Sequence, residues 1–225
     1  MTRRFLCRAI FLRHGQSDYT GDFPDLTSDG VESIKKSATV IEPLTVGFKE
    51  VAIVSSPTPR AFGSADIIAR KLGYKKSICQ EPALQAAVVK DMTIASVLFK
   101  EHAKNGDVRK FYMTDPRYED SLIIEPRSEV RRRFFCYFAK MIRSLLINSS
   151  APLCVIHVCH YENLYHLVEY LFELDFAKDE PLECGEIIVI SIYYCEEQNT
   201  IEVRACFRGK KSPLRIFNCI EKTFQ

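Results

Sequence analysis

Three short apolar segments, each followed directly by polar residues, constrain the fold of this chain more than any other feature. They cover residues 6–12, 50–55 and 153–158, with the sequences LCRAIFL, EVAIVS and LCVIHV. Runs of this length are typical of strands that are buried on both faces. Helical patterns lie between them. Because alternating strands and helices form covered parallel sheets, the chain is predicted to be an α/β three-layer sandwich, with helices on both faces of a mostly parallel central sheet.

Apolar spacing and terminal signals predict four helices. Their ranges are 30–42, 60–72, 128–147 and 162–172. Pro43 is expected to end the first helix, and Gly73 follows the second as a typical C-terminal stop. Near the C-terminus, residues 187–194 and 200–207 are rich in β-branched and aromatic residues, and we expect them to form a hairpin.

Unusual polar residues follow each of the three predicted strands. The first strand runs into Arg13 and His14, the second leads through Ser-Ser-Pro-Thr-Pro to Arg60, and the third runs into His160. In a doubly wound sheet, ligands bind outside the carboxyl ends of the strands. Two histidines and two arginines are therefore predicted to converge in one site.

These residue types suit phosphoryl transfer. An imidazole nitrogen is nucleophilic at neutral pH and can hold a phosphoryl group covalently. One guanidinium group can bind two phosphate oxygens at once, and it stabilises the negative charge that spreads over these oxygens in the transition state. Gly15, directly after His14, allows the backbone to approach a ligand closely. The sequence has no Walker glycine loop and no carboxylate cluster, so we expect chemistry without a metal ion.

Four sequence motifs together resemble the histidine phosphatase (phosphoglycerate mutase-like) superfamily. They read LRHGQS, LTSDG, SSPTPRAFGSADIIA and VIHVCH. The second and third match the family's spacing at these positions: Leu26, Thr27, Gly30, Ser56, Pro57, Arg60, Ala61, Ser64 and Ala65. The resemblance extends over nearly the whole chain, because a segment similar to the family's closing hairpin follows Glu183.

The resemblance implies a metal-independent phosphatase that works through a phosphohistidine on His14 and needs no organic cofactor. It implies that Arg13, Arg60 and His160 bind the phosphoryl group and take part in catalysis, and that Ser17 adds a hydrogen bond to the ligand. The expected substrate is a phosphorylated small molecule or a phosphoprotein. A catalytically weak phospho-ligand-binding protein on the same fold is the alternative, and a phosphoglycerate-type mutase ranks below both.

The chain departs from the family at the proton donor. Family members usually carry a glutamate two residues after a leucine in the segment that follows the arginine helix, and Ala86 stands there. The candidates that remain are Asp91, Glu162 and Glu81. Without a positioned acid, a nitrogen or an acidic phenol leaves most easily, so phosphohistidine or phosphotyrosine is a conceivable target. Tyr161 also replaces the small residue usual after the second histidine, and we expect it to narrow the mouth of the site.

Bulk composition limits the other classes of function. The 225 residues carry a net charge of +2, which predicts neither a nucleic-acid nor a membrane partner. The tract 131–133, three arginines, is interpreted as a solvated helix face. Nine cysteines without metal-binding spacing predict reduced thiols and a cytoplasmic protein. His157 and His166 are interpreted as structural, and His102 carries no functional signal.

The length suits one domain over residues 1–225. Residues 85–127 are less regular than their surroundings, and we interpret them as an excursion or cap over the active-site end of the sheet. The sequence does not specify an oligomeric state.

Overall fold

The computed structural model of the protein describes residues 3–18, 25–104, 112–119, 122–148, 151–174, 182–218 and 223–224. The strands, in chain order, are β1 (Arg3–Arg13), β2 (Ser17–Asp18), β3 (Asp25–Leu26), β4 (Glu50–Ser55), β5 (Cys79–Gln80), β6 (Leu153–Cys159), β7 (Ile187–Cys195), β8 (Thr200–Phe207), β9 (Lys210–Lys211), β10 (Arg215–Asn218) and β11 (Thr223–Phe224). The long helices are α1 (Ser28–Thr45), α2 (Pro59–Lys71), α3 (Met92–Lys104), α4 (Arg127–Asn148) and α5 (Tyr161–Phe172).

One large sheet forms the middle layer. Its strand order is β11-β10-β8-β7-β1-β6-β4-β5, and β9 pairs with β8 at the side of this path. The pairs β1–β6, β6–β4 and β4–β5 are parallel, and the hairpin of β7 and β8 joins β1 in antiparallel fashion. The predicted α/β architecture is confirmed, and so is the C-terminal hairpin. The parallel strands are the ones that lead into the predicted site.

Side chains of β1 alternate between two hydrophobic cores, one on each face of the sheet. Ile10 and Leu12 pack with buried residues of α1 and α2, including Ile34 and Ile68. Phe11 points to the opposite face. There it packs with α4 and α5 through buried residues that include Phe134, Phe138, Leu164 and Leu167. Helices on both faces complete the three-layer sandwich that the sequence predicts.

Helix α1 continues through Pro43, so the prediction that Pro43 ends it is wrong. Proline lacks an N–H and its ring crowds the preceding turn, so the helix loses the hydrogen bond to the carbonyl four residues earlier, and it ends two residues after Pro43. The last turn is stabilised by side chains. Arg8 Nη1 donates to Leu44 O over 2.8 Å, and Thr45 Oγ1 donates to Glu42 O over 2.8 Å.

The described part of residues 85–127, which leaves out 105–111 and 120–121, contains more regular structure than the sequence pattern indicates, including the whole of α3. Buried side chains of this segment, among them Leu98 and Tyr118, belong to the same core as α4 and α5. His102, which carries no functional signal in the sequence, is buried with its Nδ1 2.8 Å from the hydroxyl of Tyr118. This contact ties α3 to the short helical turn Pro116–Glu119. Among the described residues, no helix combines the length and the apolar character needed to cross a membrane.

Candidate active site

The carboxyl ends of three parallel strands meet at one edge of the sheet. Arg13, the last residue of β1, pairs with Cys159, the last residue of β6. Ser55, the last residue of β4, pairs with Val158. The backbone contacts continue beyond the strands, because His14 N donates to Cys159 O over 3.0 Å and Ser56 N donates to Val158 O over 2.9 Å. The geometry therefore brings the three predicted strand ends together.

His14 is held in one defined tautomer. Its Nδ1 donates to Gly15 O over 2.6 Å, which leaves the lone pair on Nε2. Arg60 Nε donates to that Nε2 over 3.2 Å. The imidazole is buried, with only 3% of the residue exposed. His14 thus presents a neutral, oriented nitrogen lone pair to a guanidinium group.

The loop that carries His14 packs tightly against the start of α1. A Cβ atom added to Gly15 would lie 2.5 Å from Gly30 O, and one added to Gly30 would lie 2.1 Å from Gln16 O. Only glycine fits at such distances. Gly15 N donates to Ser64 Oγ over 3.0 Å, which fixes the loop to α2. These contacts explain why Gly15, Gly30 and the small polar residue Ser64 suit these positions.

Ser17 lies close to His14 but donates to the backbone. Its hydroxyl donates to Gly15 O over 3.2 Å, the same oxygen that accepts from His14 Nδ1. The residue is 9% exposed. In this arrangement Ser17 stabilises the carbonyl that orients the His14 ring, and a hydrogen bond from Ser17 to a ligand stays a prediction.

The guanidinium of Arg60 joins the two histidines. While its Nε contacts His14, its Nη2 lies 3.4 Å from Nδ1 of His160. The imidazole rings of His14 and His160 are 4.9 Å apart and inclined by 62°. On the far side of its ring, His160 Nε2 lies 2.9 Å from Ser56 Oγ and 3.1 Å from Thr58 Oγ1. An arginine always donates, so Nδ1 of His160 accepts and Nε2 carries its proton.

Arg13 places a second guanidinium at the same edge. Its Nη1 donates to Leu182 O over 2.7 Å, and its Cζ lies 5.6 Å from the ring centroid of Tyr161. Its Nε is buried and has no hydrogen-bond partner among the residues that the structure describes. Tyr161 is itself 6% exposed and belongs to the core, and the guanidinium of Arg13 lies over its ring. That Tyr161 narrows the mouth of the site stays a prediction.

Both histidines are electrostatically held in the neutral form. Burial, and after it the positive charge of Arg60, lowers the pKa of His14 to about 3. Burial, and then His14 and Arg60, keeps the pKa of His160 well below its usual value. Because protonation would add positive charge beside two arginines, the imidazoles stay uncharged at neutral pH. A dianionic group entering the site would meet the positive charge of the guanidinium groups of Arg13 and Arg60.

Two of the three candidate proton donors serve as local caps. Asp91 Oδ1 accepts from Ile94 N over 3.0 Å at the start of α3, and Glu81 Oε1 accepts from Ala83 N over 2.9 Å. The third, Glu162, is the second residue of α5, directly after Tyr161. Burial, and after it the negative charge of Glu162, raises the pKa of Tyr112 far above its usual value.

The tract 131–133 is only partly the solvated helix face that the sequence predicts. Arg132 is exposed and pairs with Glu129 at 2.6 Å. Arg133 instead has a side chain only 19% exposed, and it pairs with Glu125 at 2.8 Å. The interpretation is therefore wrong for Arg133. A run of three arginines does not reveal which one points inward, because the answer depends on distant backbone carbonyls.

His157 and His166 occupy the structural positions expected of them. His157 is fully buried on β6 and stacks on Phe11, with ring centroids 4.1 Å apart. His166 is 4% exposed within α5. Ser56, Thr58 and Ser64 were not predicted to contact site residues. The first two flank His160 and the third accepts from Gly15 N. Their signal in the sequence is that Ser56 and Ser64 stand at motif positions and that Thr58 lies between Ser56 and Arg60.

Comparison with protein families gives a match to the histidine phosphatase superfamily (branch 1) over residues 9–206. A comparison of the sequence with curated proteins finds no significant match.

Solved structures share the fold. The mycobacterial glucosyl-3-phosphoglycerate phosphatase matches with a TM-score of 0.62 and 20% identity, over 89% of this chain and 97% of that one. YhfR of Bacillus stearothermophilus matches with a TM-score of 0.60 and 17% identity, over 91% and 97% of the two chains. A phosphoglycerate mutase of Bacillus anthracis matches with a TM-score of 0.59 and 16% identity, over 85% and 88%. At these identities the likeness concerns the fold alone.

Proposed function

The chain belongs to the histidine phosphatase superfamily, and from this premise we propose that it is a metal-independent phosphatase with His14 as the nucleophile. The observation that carries the proposal is the state of the His14 ring. Its Nδ1–H is committed to Gly15 O, and its Nε2 lone pair faces the guanidinium of Arg60. A neutral imidazole fixed in this way is ready to attack an electrophilic phosphorus.

In the first step, the lone pair of His14 Nε2 attacks phosphorus and the bond from phosphorus to the leaving group breaks. As the new bond forms, the Arg60 N–H that donates to Nε2 changes its hydrogen-bond acceptor to a phosphoryl oxygen. Arg13 and Arg60 then surround the transferring group with N–H donors, and His160 joins them once its ring proton moves from Nε2, which then accepts from Ser56 or Thr58, to Nδ1. Such fixed donors and charges act on a transition state without needing to reorganise, which is the main source of catalysis in phosphoryl transfer.

In the second step, water attacks the phosphorus of the phosphohistidine, and the proton that this water loses passes through solvent to the leaving group released in the first step. Inorganic phosphate leaves, and the electron pair of the broken P–N bond returns to Nε2. The sum of both steps is a phosphate ester or phosphoramidate plus water, giving the alcohol or amine plus phosphate. The chain's own residues hold and release the phosphoryl group throughout.

The unpaired donor of Arg13 supports an anionic ligand. A buried guanidinium N–H without an acceptor costs free energy, on the order of 1–3 kcal/mol or more for a charged group. The Nε of Arg13 has no such acceptor among the described residues. A phosphoryl oxygen would supply it, and Arg13 could then grip the ligand while its Nη1 stays on Leu182 O.

The leaving group that suits this site is one that departs with little help. Asp91 and Glu81 already accept hydrogen bonds from backbone N–H groups that they cap. Of the three candidates, we therefore propose Glu162 as the group that supplies a proton where the leaving group needs one. Where the leaving group needs no proton, we propose an aryl phosphate or a phosphoramidate as the substrate. These linkages occur in phosphotyrosine and phosphohistidine and in small phosphorylated molecules.

The proposed location is the cytoplasm. Within the described residues, the four buried cysteines, Cys7, Cys154, Cys159 and Cys195, are free thiols. Thiols of this kind persist where the compartment is reducing.

Hydrolysis of p-nitrophenyl phosphate by the purified protein tests the proposal. We expect turnover by the wild type, no turnover by His14→Ala, and equal far-ultraviolet circular dichroism for both. Binding of inorganic phosphate without turnover of any phosphate compound would favour the phospho-ligand-binding alternative instead.

A further inference from the structure

An ion pair between Arg133 of α4 and Glu125 lies outside the set of residues assigned to the phosphoryl group. Arg133 Nε donates to Glu125 Oε1 over 2.8 Å, and Nη2 donates to Oε2 over 3.1 Å. The two side chains are 19% and 16% exposed. A pair with so little exposure is far less screened than the surface pair of Arg132 and Glu129 on the same helix.

The same guanidinium binds three backbone carbonyls of one segment. Arg133 Nη1 donates to Ala83 O over 2.6 Å, and Nη2 donates to Gln85 O over 2.8 Å and to Ala86 O over 3.0 Å. The partner carboxylate holds the next residues, because Glu125 Oε2 accepts from Val88 N over 3.2 Å. One ion pair thus fixes the backbone of residues 83–88, which we call the 83–88 segment.

The 83–88 segment is joined to the two elements that adjoin Ser56 and His160. It follows β5, whose end is joined to the end of β4 by a hydrogen bond from Glu81 N to Ser55 O over 2.8 Å. On its other side lies Asn163, fully buried in the first turn of α5. With its amide nitrogen turned to the segment, Asn163 donates to Leu84 O over 2.9 Å and to Gln85 O over 3.3 Å. Helix α5 is the helix that His160 caps.

Arg133 differs from Arg13 in how its donors are used. Its Nε, Nη1 and Nη2 all donate to protein oxygens, whereas Arg13 has a buried Nε without a partner among the described residues. A guanidinium with each nitrogen engaged in this way is suited to hold the protein's own backbone. Its planar fork can contact several carbonyls and a carboxylate at once, which a lysine ammonium on a flexible stem cannot do.

We propose that Arg133 is a positioning residue: with Glu125 it fixes the 83–88 segment as the wall against which the part of the substrate beyond the phosphoryl group packs. This inference rests on the proposed phosphatase function. Arg133 acts on the leaving-group side, whereas Arg13, Arg60, His14 and His160 act on the phosphoryl group. Small displacements of such a wall matter, because a shift of about 1 Å can cost on the order of 10²-fold in rate.

The test compares Arg133→Lys, Glu125→Gln and the control Arg132→Lys. For each variant, kcat and KM are measured with p-nitrophenyl phosphate and with aryl phosphates of larger leaving groups. The inhibition constant of inorganic phosphate and the thermal midpoint are measured in parallel. We expect Arg133→Lys to lower kcat/KM by roughly 10-fold or more, and more for larger leaving groups. Glu125→Gln should change the same quantity in the same direction but less, since its amide oxygen still accepts from Arg133.

The inhibition constant of inorganic phosphate should change by less than about 2-fold in all three variants, because the groups that bind phosphate keep their places. Arg132→Lys should leave all quantities unchanged. Equal kinetics for wild type and both Arg133→Lys and Glu125→Gln would overturn the inference, even if the thermal midpoint fell. A parallel loss of phosphate affinity and of kcat/KM for every substrate would also overturn it. If the wild type hydrolyses no phosphate compound, the proposed function itself fails, and that result is distinct from both.

Discussion

Arg60 Nε donates to Nε2 of His14 over 3.2 Å, so the nitrogen proposed as the nucleophile is in contact with a guanidinium that also reaches His160. The contact has two consequences. It orients the lone pair that would attack phosphorus, and it disfavours protonation of the ring, which would remove that lone pair. A single arginine on the first turn of α2 therefore links the nucleophile to the second histidine.

Replacing Arg60 by lysine should impair catalysis although the charge is retained. A lysine ammonium cannot contact His14 and His160 at once and cannot grip two phosphoryl oxygens in a planar fork. We expect kcat/KM for p-nitrophenyl phosphate to fall on the order of 10²-fold or more, as for the loss of a positioned transition-state donor. Arg70→Lys is the matched control, because Arg70 lies on the same helix in an exposed pair with Asp66. Near-normal kinetics in Arg60→Lys would remove Arg60 from the site.

Replacing Gly15 by alanine should disturb the loop that orients His14. The added Cβ would lie 2.5 Å from Gly30 O and 3.0 Å from Ile34 Cγ1, and the backbone carbonyl cannot move aside cheaply. We expect a loss of about 1–3 kcal/mol in the free energy of unfolding, as for other overpacked sites, with a fall in kcat. Gly63→Ala is the control, since its Cβ would lie 3.5 Å from the nearest atom and alanine favours the helix by about 0.5–1 kcal/mol. Chemical denaturation of both variants measures the difference.

The stability of the protein should fall as the pH drops from about 6.5 toward 3. Burial lowers the pKa of His157 to about 3 from an ordinary value of 6.5, and the pKa of His14 is lowered to about 3 as well. In that pH window the unfolded chain binds protons that the folded protein does not, so the free energy of unfolding rises with pH. His157→Phe keeps a flat ring against Phe11 and removes one such group. The slope of the free energy of unfolding against pH should then decrease by about 1.4 kcal/mol per pH unit. An unchanged slope would show that His157 is not neutral in the folded state.

The rate should depend steeply on the acidity of the leaving group. Ala86 has no proton to give, and positioned general-acid help is commonly worth about 10²–10⁴-fold. We expect aryl phosphates and phosphoramidates to be hydrolysed far faster than alkyl phosphates. Ala86→Glu should raise the alkyl rate selectively. A series of leaving groups on the wild type and Ala86→Glu measures both slopes.

The candidate acids can be separated in the same series. If Glu162 supplies a proton, Glu162→Gln lowers alkyl activity and leaves the best aryl phosphates unaffected. Asp91→Asn and Glu81→Gln are then controls, because both carboxylates cap backbone N–H groups. Loss of alkyl activity in Asp91→Asn or Glu81→Gln alone would transfer the role to that residue. A flat slope in the wild type, unaffected by any of these changes, would contradict the whole account of the leaving group.

The sequence predicts the site residues at the strand ends better than it predicts the residues that hold the surrounding backbone in place. Arg13, His14 and His160 lie directly after buried strands, and parallel strands end at one edge of the sheet, so their convergence follows from local pattern and one topological rule. Arg133 could not be identified in this way, because the backbone carbonyls that accept from it lie 47 to 50 residues earlier in the chain. The prediction that Pro43 ends α1 was wrong for the opposite reason. It applied a local rule on helix ends, whereas side chains of Arg8 and Thr45 stabilise the last turn through hydrogen bonds.

The central claim is that the phosphoryl group passes through Nε2 of His14, and rapid quenching during turnover tests it most directly. The wild type is mixed with a labelled aryl phosphate, quenched in base, digested and analysed by mass spectrometry. We predict a phosphoryl adduct on His14 that survives base and is lost in acid, and that is missing from His14→Ala. Label on a cysteine or serine, or steady turnover by His14→Ala, would contradict the mechanism.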